Sequence, residues 1–258
     1  MTVTDRATYV YAVGRHLDEQ LIADLEGVGG GPVRAIVHRD LTVLVSTVRL
    51  AEFGESALRR NLENLDWVER TARRHDEIVR RSAASTTALA PFRLVTIYRS
   101  DAAVCDRIEE LYDDLVVALE RIDRRGEWSV KVYDRPVSTP ASPTARSDSV
   151  GAGVAYLERR RTQIQQQREA AADKAVVADQ LFWDLVPVAA ATRRLAPQDR
   201  RLTGRSAAMI TNATFLVDDQ RRTEFLDLVD VLRTRYPSLD IEVNGPWPPY
   251  SFAALDTP

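Results

Sequence analysis

The sequence predicts an α+β protein of two domains, and three observations predict it. Up to residue 98 the apolar runs follow the order strand-helix-strand-strand-helix-strand, which is that of a ferredoxin-like split βαβ unit. A second run, helix-strand-strand-helix-strand, closes the chain. Between them, residues 135–152 hold Pro136, Pro140 and Pro143 among serines and threonines, with Gly151, and without apolar period, the composition of a linker. The expected domains are 1–134, with a helix and a strand added to the ferredoxin-like order, and 153–258. The second is a smaller ferredoxin-like unit, lacking its first strand and opened by a long helix. Each is expected to be an antiparallel-rich sheet with helices on one face.

Each element has its own signal. Thr8 to Gly14 alternates as a half-buried strand, and Leu17, Leu21 and Leu25 line one side of a short helix. The glycines of Glu26–Pro32 follow a helix and precede a strand, the reverse of a phosphate-binding loop. Val33–His38 and Leu41–Val48, with little between them, form a hairpin. Glu55 to about Ala84 is helical, with Leu58, Leu62, Leu65, Val68, Ala72 and Val79 as its apolar stripe and His75 on the edge. Trp67 and Ile78 fall on the opposite side at 100° per residue, so this helix is either sandwiched between layers or broken near Asn64. Leu89 to Tyr98 is extended, and Pro91 suits an edge strand or an entry bend rather than a central strand.

Ser100 is an N-cap with Asp101 in the first turn. The helix it opens runs to about Asp123, with Val104, Ile108, Leu111, Tyr112, Leu115, Leu119 and Ile122 on one face. Gly126 ends it and Glu127–Tyr133 is a strand. Beyond the linker a helix reaches to about Trp183. Val154, Leu157, Ile164, Ala171, Ala175, Ala178 and Phe182 recur at threes, fours and sevens, a spacing open to a coiled-coil-like contact. Its glutamine-rich middle favours packing on its own sheet. Val188–Leu195 and Met209–Val217 are strands. Asp219–Arg235 is a helix with Phe225, Leu228, Val229 and Leu232 on one face, and Leu239–Val243 is the last strand.

The chain ends in an extended strip, Asn244-Gly245-Pro246-Trp247-Pro248-Pro249-Tyr250-Ser251-Phe252. Three fixed φ angles keep most of it out of helix and central sheet. Trp247, Tyr250 and Phe252 are too large and apolar to stay uncovered. Either the strip folds back to cap its own sheet edge or it docks another protein. Between its flanking prolines Trp247 reads as cap, and Tyr250, whose hydroxyl tolerates water, as the outward contact.

Composition excludes several classes of function. There are 35 basic and 38 acidic side chains, a formal charge of −3, without the basic excess of a nucleic-acid binder. The single Cys105 leaves no internal disulfide and fits a reducing compartment. The first residues lack the order of a signal peptide, and no apolar run is long enough to span a bilayer; the expected location is cytoplasmic, with no membrane partner. His16, His38 and His75 are scattered, and no nucleophile elbow, phosphate loop or metal-ligand spacing occurs. No catalytic, cofactor-binding or metal residues are expected, and no cofactor. The best basic cluster is Arg193-Arg194 with Arg200-Arg201, open to an anion.

Gly245–Phe252 resembles the C-terminal signature of the gas vesicle protein L/F family. Asn61–Trp67 with His75 downstream, Ser100-Asp101, Trp128 and Val130–Tyr133 are similar to the same family. Its pattern Pro-Leu-Arg-Phe-Gly-Thr stands here as Pro91-Phe92-Arg93-Leu94-Val95-Thr96, without the glycine. The resemblance implies a non-enzymatic accessory protein that engages the hydrophobic gas vesicle shell protein and other accessory proteins during nucleation or growth, in association with the vesicle. Trp67, Trp247, Tyr250 and Phe252 are the candidate interaction residues. The alternative is a ferredoxin-like regulatory or anion-binding module.

Overall fold

The computed structural model describes residues 5–15, 17, 22, 24–135, 152–199, 204–205 and 207–253, and for 152–156, 159 and 167 the backbone alone. The linker expected at 135–152 lies, apart from Arg135 and Ala152, outside the described residues. So does most of the short helix expected between Leu17 and Leu25.

The described chain divides into two compact units, residues 1–127 with 245–258, and residues 128–244. The first holds β1 (Arg6–Gly14), β2 (Val33–His38), β3 (Leu41–Arg49), α1 (Leu50–Phe53), α2 (Glu55–Asn61), α3 (Leu65–Ala83), β4 (Leu89–Tyr98), α4 (Asp101–Glu110), α5 (Tyr112–Ile122) and a last turn, α8 (Tyr250–Ala253). Its sheet has the order β2-β3-β1-β4, and each neighbouring pair is antiparallel. This is the ferredoxin-like arrangement expected from the element order. Pro91 lies on β4, an edge strand, where its missing N–H costs nothing.

β1 is buried at every position from Ala7 to Gly14, which requires cover on both faces of the sheet rather than the one expected. Tyr9 and Tyr11 share a core with Phe53, Trp67, Ile78 and Val79, so α3 covers one face. α4 packs along β2 and β4, and α5 along β4. Ser100 caps α4 as expected, its hydroxyl accepting from the Ala103 N–H at 3.2 Å. Asp101 in the first turn accepts from Arg34 and from Thr8, each at 2.7 Å, and the Arg34 hydrogen bond holds its carboxyl below the usual range.

The helix expected from Glu55 to Ala84 is broken. The Asn64 side chain accepts from the Trp67 N–H at 3.2 Å and starts α3 afresh. The restart shifts the helical phase, and the buried face becomes Trp67, Thr71, His75, Ile78, Val79 and Ser82. Leu62 and Leu65 of the expected stripe are 48% and 81% exposed.

The second unit holds β5 (Arg125–Asp134, from Trp128 onward), α6 (Ala152–Leu185), β6 (Ala191–Leu195), β7 (Met209–Asp218), α7 (Arg222–Arg235) and β8 (Leu239–Trp247, up to Asn244). Its sheet order is β6-β7-β5-β8. The strand expected as an addition to the first domain is therefore an inner strand here, and it supplies the first strand this unit was expected to lack. Trp128, Val130 and Val132 of β5 meet Leu181, Phe182 and Leu185 of α6, Phe215 of β7, and Phe225, Val229 and Leu232 of α7 in one core.

Candidate interaction site

The C-terminal strip belongs to the first unit, not to the sheet from which it issues. Gly245 has φ 146, a backbone that suits glycine. At Pro246 the strip runs so close to Gly126 that a Cβ on that glycine would lie 2.6 Å from the proline Cβ. Two charged side chains then fix the last turn by three hydrogen bonds. The buried Glu127 carboxylate accepts from the Ser251 backbone N–H at 2.7 Å and from the Ser251 hydroxyl at 2.6 Å. Arg121 of α5 donates to the Phe252 carbonyl at 2.6 Å. Each bond has a charged partner, which makes it stronger than a neutral one.

This anchoring sorts the aromatics. Phe252 is 7% exposed and interior. Trp247 is 39% exposed, with the Arg80 guanidinium 5.6 Å from its ring centroid. Tyr250 is half-buried against the first core, and burial pushes its hydroxyl pKa up. The sequence alone suggests Trp247 covered and Tyr250 facing out; the anchors at Ser251 and Phe252 draw Tyr250 inward and leave Trp247 at the rim.

Beside the turn lies an apolar pocket of about 220 Å³, lined by Pro91, Phe92 and Tyr98 of β4, by Leu111 and Leu115, and by Tyr250, with Arg93 and Arg107 contributing the charge. The pocket follows from an irregularity in β4. Pairing with β1 jumps from Val10–Thr96 to Ala12–Pro91, so four residues, Phe92 to Val95, stand opposite Tyr11. Val95 takes φ 66, the left-handed region, in the place where the family pattern has glycine. Its N–H donates to the Tyr9 hydroxyl at 2.9 Å. The Tyr9 O–H is free to donate to His75 Nδ1, 3.0 Å away. Burial lowers the His75 pKa to about 4, so the ring is neutral, and in the tautomer protonated on Nε2 its Nδ1 accepts from Tyr9.

Trp67 does not join this cluster. It is 7% exposed, packs on Phe53 with centroids 5.4 Å apart, and donates its indole N–H to Glu52 at 2.8 Å. Trp67 and Arg80 lie thirteen residues apart on α3, about 20 Å along the axis. Glu127, Arg121 and Arg80, which hold the strip, are not singled out by the sequence. Nothing in a strand-end glutamate marks it as the partner of a serine so far along the chain.

Among the described residues no three His, Cys, Asp or Glu side chains stand close enough to hold a metal, and no helix is long and apolar enough to cross a membrane. The described half of the basic cluster is engaged: Arg194 pairs with Asp179 at 2.5 Å and lies over Phe182, and Arg193 has a partner. Arg200 and Arg201 are outside the described residues.

Comparison with known proteins agrees with the resemblance noted in the sequence. The chain is 39% identical to gas vesicle protein L of Streptomyces sp. (strain CB03234), covering 98% of this chain and 94% of the relative. To gas vesicle protein F of the same organism it is 27% identical, over 95% and 99% of the two chains. The crystal structure of gas vesicle protein GvpF from Anabaena sp. PCC7120 has a similar fold, with TM-score 0.67 and 19% identity over 98% of both chains. GvpF from Microcystis aeruginosa gives TM-score 0.62 and 18% identity over 96% and 99%. Residues 7–254 match the family described as gas vesicle synthesis protein GvpL/GvpF, and the chain therefore belongs to that family, whose role is in gas vesicle formation.

Proposed function

We propose that the protein is a non-catalytic assembly factor that holds or nucleates the hydrophobic shell subunit during vesicle growth, alongside other accessory proteins, and that it works in the cytoplasm at the vesicle. Shell subunits outside the wall carry apolar surface that aggregates unless covered. The observation that carries this reading is an apolar pocket lined by Tyr250 of a turn that charged hydrogen bonds anchor, with the half-exposed Trp247 at the end of β8 just before that turn. A rigid aromatic beside a pocket is the form binding hot spots take, and preorganisation keeps the ordering cost of binding low. In this reading Trp247 and Tyr250 are the contact residues and Phe252 supports them from the interior, while Trp67, packed on Phe53, lies apart from the strip.

Deletion in the host followed by electron microscopy tests the role, with loss of gas-filled vesicles expected. Complementation with Trp247→Ala tests the site, and pull-down with the shell protein tests the partner. Normal vesicle numbers in the deletion strain would overturn the proposal.

A further inference from the structure

Helix α6 has two unlike halves. Ala178, Leu181 and Leu185 are fully buried in the second core. From Leu157 to Asp173 every described side chain is exposed, a stretch of about seventeen residues, or about 25 Å of helix. Along this stretch the helix gains little stability from packing against the other described residues.

The faces of this arm are not alike. Leu157 and Ile164, 63% and 42% exposed, are seven residues apart on the side where Ala178 and Phe182 are buried lower down. At 100° per residue, Arg160, Arg161 and Arg168 fall within about 60° of Leu157, whereas Glu158 and Glu169 fall about 100–120° away. No ion pair to Arg160, Arg161 or Arg168 occurs among the described residues. The arm thus presents an aliphatic stripe between guanidinium groups that have no ion pair among the described residues, in a chain whose formal charge is −3.

We infer that this face docks an acidic amphipathic α-helix of a partner protein, an inference that rests on the proposed role as a factor working through other proteins. An i, i+7 aliphatic pair is the period of a helix-on-helix contact, and carboxylates flanking the partner's stripe meet the arginines. A second copy of this chain fits poorly. Antiparallel pairing centred on Ile164 sets Arg160 of one copy against Arg168 of the other, and like charges in that position repel. Two aliphatic side chains in about 25 Å are too few to seat the helix in a lipid surface, which needs a broad apolar face. Binding to phosphate polymers would leave Leu157 and Ile164 bare.

The test uses the full chain and two synthetic helical peptides, each with leucine at the a and d positions of its heptads. One has glutamate at the flanking e and g positions and its twin has lysine. By fluorescence anisotropy the glutamate peptide should bind at least about tenfold more tightly than the twin, with the difference shrinking in high salt. Arg160→Glu/Arg161→Glu/Arg168→Glu should reverse that preference and leave Tm unchanged, since all three side chains are exposed. Equal binding of the two peptides, or of neither, would overturn the inference. Tighter binding to single-stranded DNA or to phosphatidylglycerol vesicles would do the same. A dimer in sedimentation that Leu157→Glu/Ile164→Glu dissolves would assign the face to self-association instead. None of these readouts involves vesicle formation, so their failure is separable from that of the deletion experiment.

Discussion

Glu127 grips Ser251 with both carboxylate oxygens, one on the backbone N–H at 2.7 Å and one on the hydroxyl at 2.6 Å. The two residues are 124 positions apart, and the bond closes the last turn onto the unit where the chain began. Hydrogen bonds to a buried charged acceptor each contribute about 1.5–3 kcal/mol. Glu127→Ala removes two of them and should therefore cost about 3–6 kcal/mol. Glu127→Gln keeps one acceptor but turns its NH₂ toward the other donor, and should cost about half as much. Urea denaturation gives the stabilities, and amide exchange at residues 250–253 reports whether the turn has come loose. Unchanged exchange in Glu127→Ala would mean that the carboxylate does not hold the strip.

How much of this arrangement is legible in the sequence depends on whether the cause is local. The Ser100 cap, the edge position of Pro91 and the apolar face along α4 and α5 follow from neighbours within a turn or two, although the single helix expected from Ser100 to Asp123 breaks at Leu111. The Asn64 cap is signalled only as one of two options, because a stripe counted at 100° per residue assumes an unbroken helix; the break exposes Leu65 and buries Trp67. Strand order cannot be read from strand sequence, so β5 reads as an addition to the elements before it in the chain. The strip's aromatics announce that they need cover. Which surface covers them depends on Glu127, Arg121 and Arg80, all distant in sequence.

Val95 offers a test of the bulge that forms the pocket. A β-branched residue at φ 66 is an outlier, and the left-handed conformation costs an L-residue about 1–2 kcal/mol. Val95→Gly removes that strain, though the freer unfolded chain offsets about 0.4–1 kcal/mol, and the half-buried side chain gives up some contact with the core. The expected result is a stability within about 1 kcal/mol of the parent. Val45→Gly, at a fully buried site on β3, should be far more damaging. A loss at Val95 as large as that at Val45 would show that the backbone there is not strained.

His75 should make the protein sensitive to mild acid. It is 3% exposed, and burial lowers its pKa from 6.5 to about 4. Between those values the unfolded chain binds a proton that the folded protein does not. The stabilisation is therefore complete above about pH 6.5 and is lost as pH falls toward 4, by up to about 3 kcal/mol at 1.36 kcal/mol per pH unit. Carboxylates also titrate near the bottom of this window, so the measurement is a difference. Urea midpoints of the parent should fall more steeply between about pH 6.5 and 5 than those of His75→Phe. The variant itself should be weaker at neutral pH, because the Tyr9 hydroxyl loses its acceptor. Parallel pH profiles would exclude His75 as the source.

The strip makes the last prediction, separating stability from binding. Trp247 is 39% exposed and carries a guanidinium 5.6 Å from its ring centroid. A partly exposed cation–π contact is worth about 0.5–1 kcal/mol, so Trp247→Ala should lower stability by only about 1 kcal/mol. Tyr250 is packed on the first core and lines the pocket. Its truncation opens a void, and Tyr250→Ala should cost about 2–4 kcal/mol. Tyr250→Phe, which keeps the packing, should cost little. If the rim is a docking face, Trp247→Ala should weaken capture of the shell protein by about 2 kcal/mol or more, the size of a hot-spot loss, at nearly unchanged Tm. Tyr250→Ala should lose capture and folding together, while Tyr250→Phe keeps both. Melting curves and pull-down on the three variants decide it: a large drop in Tm for Trp247→Ala would make that ring a structural cap, and intact capture by a folded Trp247→Ala would remove it from the docking face.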